Sequence, residues 1–149
     1  MRVVLDSNVL ARATPGKTSA AREVLLLLTQ PPHDLLTSAP LLTELARILQ
    51  YPRVRALHGL DDAGIQAYLQ AVQAAALVVI PASPLPIQTR DPADDLVIAT
   101  AVAGRADVLC TWDRHIHDPG IMAQCLARGI RVMKDAELLQ ELRGLAPPP

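Results

Sequence analysis

Short apolar runs alternate with longer helical patterns along the whole chain, and this alternation constrains the fold more than any other sequence feature. The apolar runs are rich in Val, Leu and Ile, and they span residues 3–5, 35–37, 77–80, 108–111 and 130–133. Each is too short and too apolar for a half-exposed antiparallel ribbon, so we expect a parallel sheet that is buried on both faces. The pattern predicts an α/β fold.

Helical patterns fill the intervals between these strands, over residues 18–29, 40–51, 62–76, 92–104, 119–128 and 136–143. Aspartates mark the start of four of them. Asp91 and Asp118 each precede a proline, which favours the first helical position, and Asp61 and Asp135 precede apolar-periodic stretches. We therefore expect these four side chains to cap helices. The prolines within residues 81–92 predict an extended surface connection.

The length and composition are typical of one ordinary domain with an aliphatic core. The chain has 149 residues, half of them hydrophobic, and a net charge of -1, which excludes a disordered acidic chain and a highly basic histone-like binder. Phe is absent and only three residues are aromatic, which argues against a module that stacks bases on a sheet of aromatics. We expect a single domain over residues 1–145 and a disordered Pro-rich tail over 146–149.

No targeting or membrane segment is expected from the sequence. The first apolar run, residues 3–5, is far shorter than the roughly 7–15 residues of a signal peptide's apolar region. The longest apolar stretch, residues 74–80, is also far below the about 20 residues of a membrane span. Cys110 and Cys125 form no CxxC pair, so we expect two buried thiols. These observations favour a soluble, cytoplasmic protein with no membrane partner.

Four carboxylates remain that capping does not explain. Asp6 and Asp113 follow two predicted strands, at the sheet edge where ligands bind in open α/β folds. Glu44 lies on the apolar stripe of its helix, where an unpaired charge would be costly. The fourth lies in the first turn of the apolar helix at 92–104, and spacing alone does not choose between Asp94 and Asp95.

A cluster of these four carboxylates would require a cation. Close pairs would repel by several kcal/mol at an effective dielectric of about 20, and a divalent ion relieves that repulsion. Oxygen ligands without a Cys or His cluster select hard ions, so we predict Mg²⁺ or Mn²⁺. His115 and His117 form an HxH pair, but the sequence offers no third ligand beside them, so zinc is not favoured.

Four short motifs occur in a fixed order over nearly the whole chain: LDSNVL at 5–10, LTEL at 42–45, DPADDLVIATA at 91–101 and CTWD at 110–113. Together they resemble the PIN-domain family, particularly the VapC-like ribonuclease toxins of bacterial toxin–antitoxin pairs. The resemblance implies a three-layer α/β/α sandwich around a parallel sheet of four to five strands. It also implies an acidic cluster that binds Mg²⁺ or Mn²⁺ and hydrolyses phosphodiester bonds in RNA.

The resemblance assigns roles to individual residues. It implies catalytic and metal-binding roles for Asp6, Glu44, Asp95 and Asp113. Asp95 is favoured over Asp94 because it directly precedes the segment LVIATA. In this scheme three aspartates hold the metal, which polarises the phosphate and activates a water, and Glu44 ligates a second ion or orients the water.

Neighbouring residues are implied to support the acidic ones. Asn8 matches the family's Asn beside the first Asp, and Thr111 matches the hydroxyl ahead of the last. Ser7 stands where the family more often has Thr, and it still provides a hydroxyl. Trp112 fills a position that is commonly small or charged, so we expect its large ring to alter access to the metal.

Arginines near these motifs are candidates for contacts with RNA phosphates, because the planar guanidinium matches phosphate geometry. The candidates are Arg12, Arg47, Arg90 and Arg114, with Lys17, Arg53 and Arg55 in adjoining segments.

The resemblance also implies partners: an RNA substrate, a cognate antitoxin and a second copy of the chain in a homodimer. Residues 22–28 and 57–77 carry more aliphatic side chains than one stripe can bury, so we expect another protein to cover part of them.

Alternatives of other classes remain. A haloacid-dehalogenase-type phosphatase needs a second Asp two residues after the first, where this chain has Asn8. A non-catalytic PIN-like interaction module would not need an intact acidic quartet. A PIN-like nuclease in RNA processing cannot be distinguished from a toxin by sequence.

Overall fold

The computed structural model describes residues 1–16 and 18–145, and five strands in this part of the chain form one parallel sheet in the order β3-β2-β1-β4-β5. The strands are β1 (Arg2–Leu5), β2 (Asp34–Thr37), β3 (Leu77–Val78), β4 (Val108–Cys110) and β5 (Arg131–Met133). The predicted parallel sheet is confirmed. Lys17 and the tail expected at 146–149 lie outside the described residues.

Helices connect the strands. Over the described ranges they are α1 (Ser7–Arg12), α2 (Ala20–Leu28), α3 (Ala39–Gln50), α4 (Pro52–His58), α5 (Asp62–Ala75), α6 (Pro92–Ala103), α7 (Pro119–Leu126) and α8 (Asp135–Leu145). The sequence did not predict α1 and α4, because a helix of one or two turns is too short to show a 3.6-residue period. None of the helices described is both long and apolar enough to cross a membrane.

The predicted caps are present at three helix starts. The carboxylates of Asp61, Asp91 and Asp118 each accept a hydrogen bond from a backbone N–H in the first turn of α5, α6 and α7. Asp135 is instead the first residue of α8, and its carboxylate accepts hydrogen bonds from the backbone of Ala136 and from the Trp112 indole.

The sheet separates two apolar clusters. Val3 and Leu5 of β1 pack on one side with residues of α1, α2, α5 and α8. Val4, between them, packs on the other side with α6 and Cys125 of α7. Both cysteines are buried free thiols, as expected. The result is the three-layer α/β/α sandwich that the resemblance implied.

The sheet is less buried at one edge than the sequence predicted. β3 ends at Val78 rather than at Ile80, and Leu77 and Val78 are 48% and 51% exposed. Only β2 pairs with this strand, so one of its sides has no neighbour within the described chain.

The strands that follow β1 in the chain are added first on one side of β1 and then on the other. The chain proceeds from β1 outward to β2 and β3, then crosses to the other side of β1 to form β4 and β5. Ligands of open α/β sheets bind at the carboxyl ends of strands at such a switch point. Because Leu5 is paired in register with Cys110, the residues that follow them meet at this edge.

Candidate active site

Asp6 and Thr111 are the two residues that follow this central pair of strands. Asp6 is buried, and its Oδ2 accepts a hydrogen bond of 2.7 Å from the Thr111 hydroxyl. The backbone N–H of Asp6 donates to the carbonyl of Cys110, which extends the strand pairing to the first carboxylate. Asn8 lies exposed on α1 and makes no hydrogen bond to Asp6 among the described residues, so Thr111 holds this carboxylate and the expected support from Asn8 is not seen.

Glu44 reaches the site from α3. The hydroxyl of Ser7, fully buried at the start of α1, donates a hydrogen bond of 2.8 Å to Glu44 Oε2. The other carboxylate oxygen lies 3.8 Å from the guanidinium of Arg47, one turn further along the helix. Ser7 therefore fixes the orientation of Glu44.

The first turn of α6 sends its two consecutive aspartates in different directions. Asp94 is buried and its Oδ2 lies 3.5 Å from His115 Nδ1. Asp95 turns to the preceding loop, where its Oδ1 accepts a hydrogen bond from the backbone N–H of Thr89. Successive helical residues are rotated by about 100°, so only one of the two can face the sheet edge. The structure brings Asp94 to the cluster, in place of the Asp95 that the resemblance favoured.

Asp113 completes the group of aspartates. Its backbone N–H donates to the Thr111 hydroxyl, and its Oδ1 accepts a hydrogen bond of 2.7 Å from the backbone N–H of His115. Single ligand atoms of Asp94, Asp113 and His115 all lie within 4.8 Å of one another. These three residues form a group that could hold a metal ion.

His115 is the site residue that the sequence analysis did not assign. Its HxH partner His117 turns away and donates from Nε2 to the carbonyl of Thr111 at 2.8 Å, so the two histidines do not act as a pair. The only signal in the sequence was the position of His115 two residues after Asp113. Its second carboxylate neighbour, Asp94, comes from a different helix and is not visible from that spacing.

Burial and neighbouring negative charges raise the pKa values of two carboxyl groups in the site. Burial raises the pKa of Asp6 to about 6, and the charges of Glu44 and Asp113 add to the increase while the Thr111 hydrogen bond opposes it. Burial also raises the pKa of Asp94 to about 7, followed by the charges of Asp113 and Asp91. A positive charge beside both side chains would lower these pKa values and favour the ionised carboxylates.

A divalent cation fits this donor set. Asp94 Oδ2 is buried and has no hydrogen-bond partner among the described residues, so one oxygen is available for a ligand. Carboxylate oxygens suit Mg²⁺ and Mn²⁺, and the imidazole of His115 is a donor that Mn²⁺ accepts more readily than Mg²⁺.

The basic candidates surround the acidic residues on several sides. Arg90 and Arg114 line a cavity of about 400 Å³ together with His115. Arg47 lines a second cavity of about 560 Å³ together with Glu44. Arg12 lies against Trp112. Arg55 is instead paired with Asp62 and Arg53 is exposed on α4, while Lys17 is outside the described residues.

A protein-family model described as the PIN domain matches residues 2–115, which is most of the chain. The chain belongs to the PIN-domain family. The matched segment of this PIN domain begins in β1 and ends at His115, so it contains every acidic residue of the site. PIN domains are generally metal-dependent nucleases, and the acidic cluster could bind the metal. No curated protein matched the sequence.

Proposed function

We propose that this PIN-domain chain is a Mg²⁺- or Mn²⁺-dependent endoribonuclease and the toxin of a toxin–antitoxin pair. The observation that carries the nuclease proposal is the convergence of Asp6, Asp94 and Asp113 at the switch point of the sheet, with a buried Asp94 oxygen that has no partner among the described residues. Such a site suits the binding of a cation and, through it, of a phosphodiester.

The residues of the site have separate roles in this proposal. Asp94, Asp113 and His115 would hold the cation, with Asp6 beside them. When bound, the metal would polarise the scissile phosphate and lower the pKa of a water molecule. The Thr111 hydroxyl keeps Asp6 Oδ2 in place at the strand ends.

Glu44 is the carboxylate available to orient the attacking water. It is fixed by Ser7 through Oε2, and its other oxygen is only loosely paired with Arg47. Hydrolysis forms a bond between the water oxygen and phosphorus, breaks the bond from phosphorus to the leaving ribose oxygen, and leaves a proton of the water on that ribose oxygen. Arg47, Arg90 and Arg114 would bind neighbouring phosphates from the cavities that they line.

The cleavage reaction is tested with purified protein and labelled single-stranded RNA, in buffer with Mg²⁺, Mn²⁺ or EDTA. We expect cleavage within the strand with either ion and none with EDTA. A matched Asp94→Asn protein controls for contaminating ribonucleases, because it should be inactive under every condition. Equal cleavage by both proteins, or cleavage in EDTA, would contradict the proposal.

The toxin assignment is supported by the resemblance of the motifs and by an apolar groove between α2 and α5. The groove has a volume of about 390 Å³ and includes Leu26, which is 49% exposed. It lies on the aliphatic segments that the sequence marked for a partner. We propose that an antitoxin covers this groove with an amphipathic helix and that the enzyme is a homodimer.

Expression in a bacterial host tests this assignment. We expect growth arrest that is relieved by co-expression of a small gene adjacent to this one, encoding a DNA-binding protein that co-purifies with the nuclease. The Asp94→Asn variant should co-purify equally and arrest nothing. Harmless expression, together with accumulation of unprocessed RNA on deletion of the gene, would indicate an RNA-processing nuclease instead. Light scattering of the free enzyme measures the oligomeric state.

A further inference from the structure

Trp112 is a large aromatic side chain at the surface, next to Asp113 of the acidic cluster. It lies between Thr111 and Asp113 in the chain, and it is 41% exposed. Its indole N–H donates a hydrogen bond of 3.0 Å to Oδ1 of Asp135, whose carboxylate is itself buried at the start of α8. A ring that is only half buried but fixed in this way presents an ordered surface for a ligand.

Two cations lie against the same ring. The Cζ atom of Arg12 is 4.9 Å and the Nζ atom of Lys134 is 4.7 Å from the ring centre of Trp112. In the described part of the chain, neither side chain makes an ion pair or donates a hydrogen bond. The indole therefore holds two positive charges, neither of which lies within ion-pair distance of a carboxylate in the described chain, and an anion that reaches both would be attracted.

A cavity opens next to this group, between α1, α3 and α4. Its volume is about 460 Å³, within the range of small-molecule sites, and both Arg12 and Trp112 line it. The inner wall is apolar, with Ile48 and Leu57 among its residues. Asn8 also lines the cavity, where its amide can donate and accept hydrogen bonds.

The cations, the ring and the cavity match the parts of one nucleotide. A phosphate suits Arg12 and Lys134, and a flat base with a polar edge suits an apolar cavity with one amide. An acidic peptide would supply the charge, but its carboxylates carry no flat ring beside them for the cavity. A polynucleotide places a base next to each phosphate, so it is the occupant that the cations and the cavity together favour.

We propose that Trp112, Arg12, Lys134 and the adjoining cavity form a subsite for an unpaired nucleotide that flanks the scissile phosphate. The cations bind its backbone phosphate and the cavity receives its base. The inference rests on the proposed nuclease function and adds that the substrate is single-stranded at this position, because a paired base cannot leave its stack to enter the cavity without an added cost.

Trp112 also provides the measurement, since it is the only tryptophan of the chain. Its fluorescence is recorded while a single-stranded RNA octamer is titrated into the protein in EDTA, so that binding is observed without metal-dependent cleavage. We expect a saturable change. Arg12→Gln and Lys134→Gln should each weaken binding on the order of tenfold and lower the slope of log K against log salt by about 1.

Arg105→Gln is the matched control, because Arg105 is an exposed arginine ahead of β4, at the opposite end of that strand. It should bind the octamer like the parent protein. A duplex of the same sequence, and an octamer that lacks bases, should both bind more weakly than the intact single strand.

Several results would overturn the subsite. The first is the absence of a fluorescence change when the octamer is added. The second is a loss of octamer binding in Arg12→Gln and Lys134→Gln that is no greater than the loss in Arg105→Gln. The third is a fluorescence change with pyrophosphate or with an acidic peptide that equals the change with the octamer. Failure of the nuclease proposal is distinguishable from these. If the octamer binds through Arg12 and Lys134 but no metal supports cleavage, the subsite stands and the nuclease proposal fails. If cleavage is metal-dependent and unaffected in both variants, the reverse holds.

Discussion

The hydroxyl of Thr111 and the carboxylate of Asp6 are joined by a hydrogen bond of 2.7 Å across the central pair of strands. The same hydroxyl accepts a hydrogen bond of 3.0 Å from the backbone N–H of Asp113. One buried side chain therefore links the first and the last aspartate of the site. The strand register that pairs Leu5 with Cys110 determines this geometry, so the sheet itself sets the position of the acidic cluster.

Removing the Thr111 hydroxyl should shift the acid limb of the pH–rate profile to higher pH. In Thr111→Val, Asp6 loses the hydrogen bond that opposes its raised pKa, so this carboxyl will ionise only at a higher pH. We expect metal-dependent cleavage to require a more alkaline buffer and the fold to lose about 1–3 kcal/mol of stability. A pH–rate profile and urea unfolding measure the two effects. Thr111→Ser keeps the hydroxyl and should resemble the parent; an unchanged profile in Thr111→Val would show that the bond is not needed.

The substitutions Asp94→Asn and Asp95→Asn should differ in their effects on metal binding and cleavage. Asp94→Asn removes a carboxylate from the cluster, and we expect it to abolish metal binding and cleavage while the fold remains intact. Asp95→Asn keeps an oxygen that can accept the Thr89 hydrogen bond, so activity should be largely retained. Calorimetric metal titration and the RNA assay compare the two proteins. Full activity in Asp94→Asn together with loss in Asp95→Asn would return the role to Asp95.

Some residues of the site could be predicted from the sequence and others could not, for physical reasons. Asp6, Glu44 and Asp113 were identifiable because a strand end or an apolar stripe fixes where each one points. Spacing left Asp94 and Asp95 both open, because the rotation of α6 against the sheet depends on packing with distant residues. His115 was missed for a related reason, since its carboxylate neighbour Asp94 lies on α6. The five strands and the α/β class follow from hydrophobic periodicity, which spans whole elements and is less sensitive to a single position, whereas the three layers were implied by the family resemblance.

The metal-free protein should lose stability as the pH rises from 5 to 8. The folded-state pKa values of Asp6 and Asp94, about 6 and about 7, lie above the ordinary value of 3.8, so the native state binds more protons over this range. Their stabilising contribution is fully present below the unfolded-state pKa and is lost as the pH rises through the folded-state values, by about 4 kcal/mol between pH 5 and 8. The pKa of His33, lowered by burial and by the N-terminal charge, opposes this loss within the same range, and the lowered pKa of Glu141 affects only more acidic conditions.

Urea unfolding in EDTA at several pH values measures this dependence. Asp94→Asn should flatten the curve and be more stable than the parent protein at pH 8, because it removes one of the two groups. Added Mn²⁺ should restore the stability of the parent at pH 8 and have little effect on the variant. A free energy of unfolding that increases between pH 5 and 8 in EDTA would contradict the raised pKa values of Asp6 and Asp94.

Asp91 should matter for the fold more than for the chemistry. Its carboxylate accepts a hydrogen bond from the Ala93 backbone at the start of α6, so Asp91→Ala should cost about 0.5–2 kcal/mol of stability. Cleavage at low temperature should be largely kept. Asp91→Ser retains a capping oxygen and should recover most of the stability in thermal melts. Loss of activity without loss of stability would place Asp91 in the metal site or its support.

His115 should influence which metal ion the site prefers. Its Nδ1 lies 3.5 Å from Asp94 and 3.7 Å from Asp113, so the imidazole is placed to share a cation with both carboxylates. Mn²⁺ accepts a nitrogen ligand more readily than Mg²⁺, which keeps oxygen ligands and its own waters. His115→Ala should therefore weaken Mn²⁺ binding more than Mg²⁺ binding. In His115→Gln an amide oxygen replaces the nitrogen, and Mg²⁺ affinity should be preserved while Mn²⁺ affinity stays reduced. Calorimetric titration of each ion into the three proteins checks this order, and an equal loss for both ions in His115→Ala would mean that His115 does not select the metal.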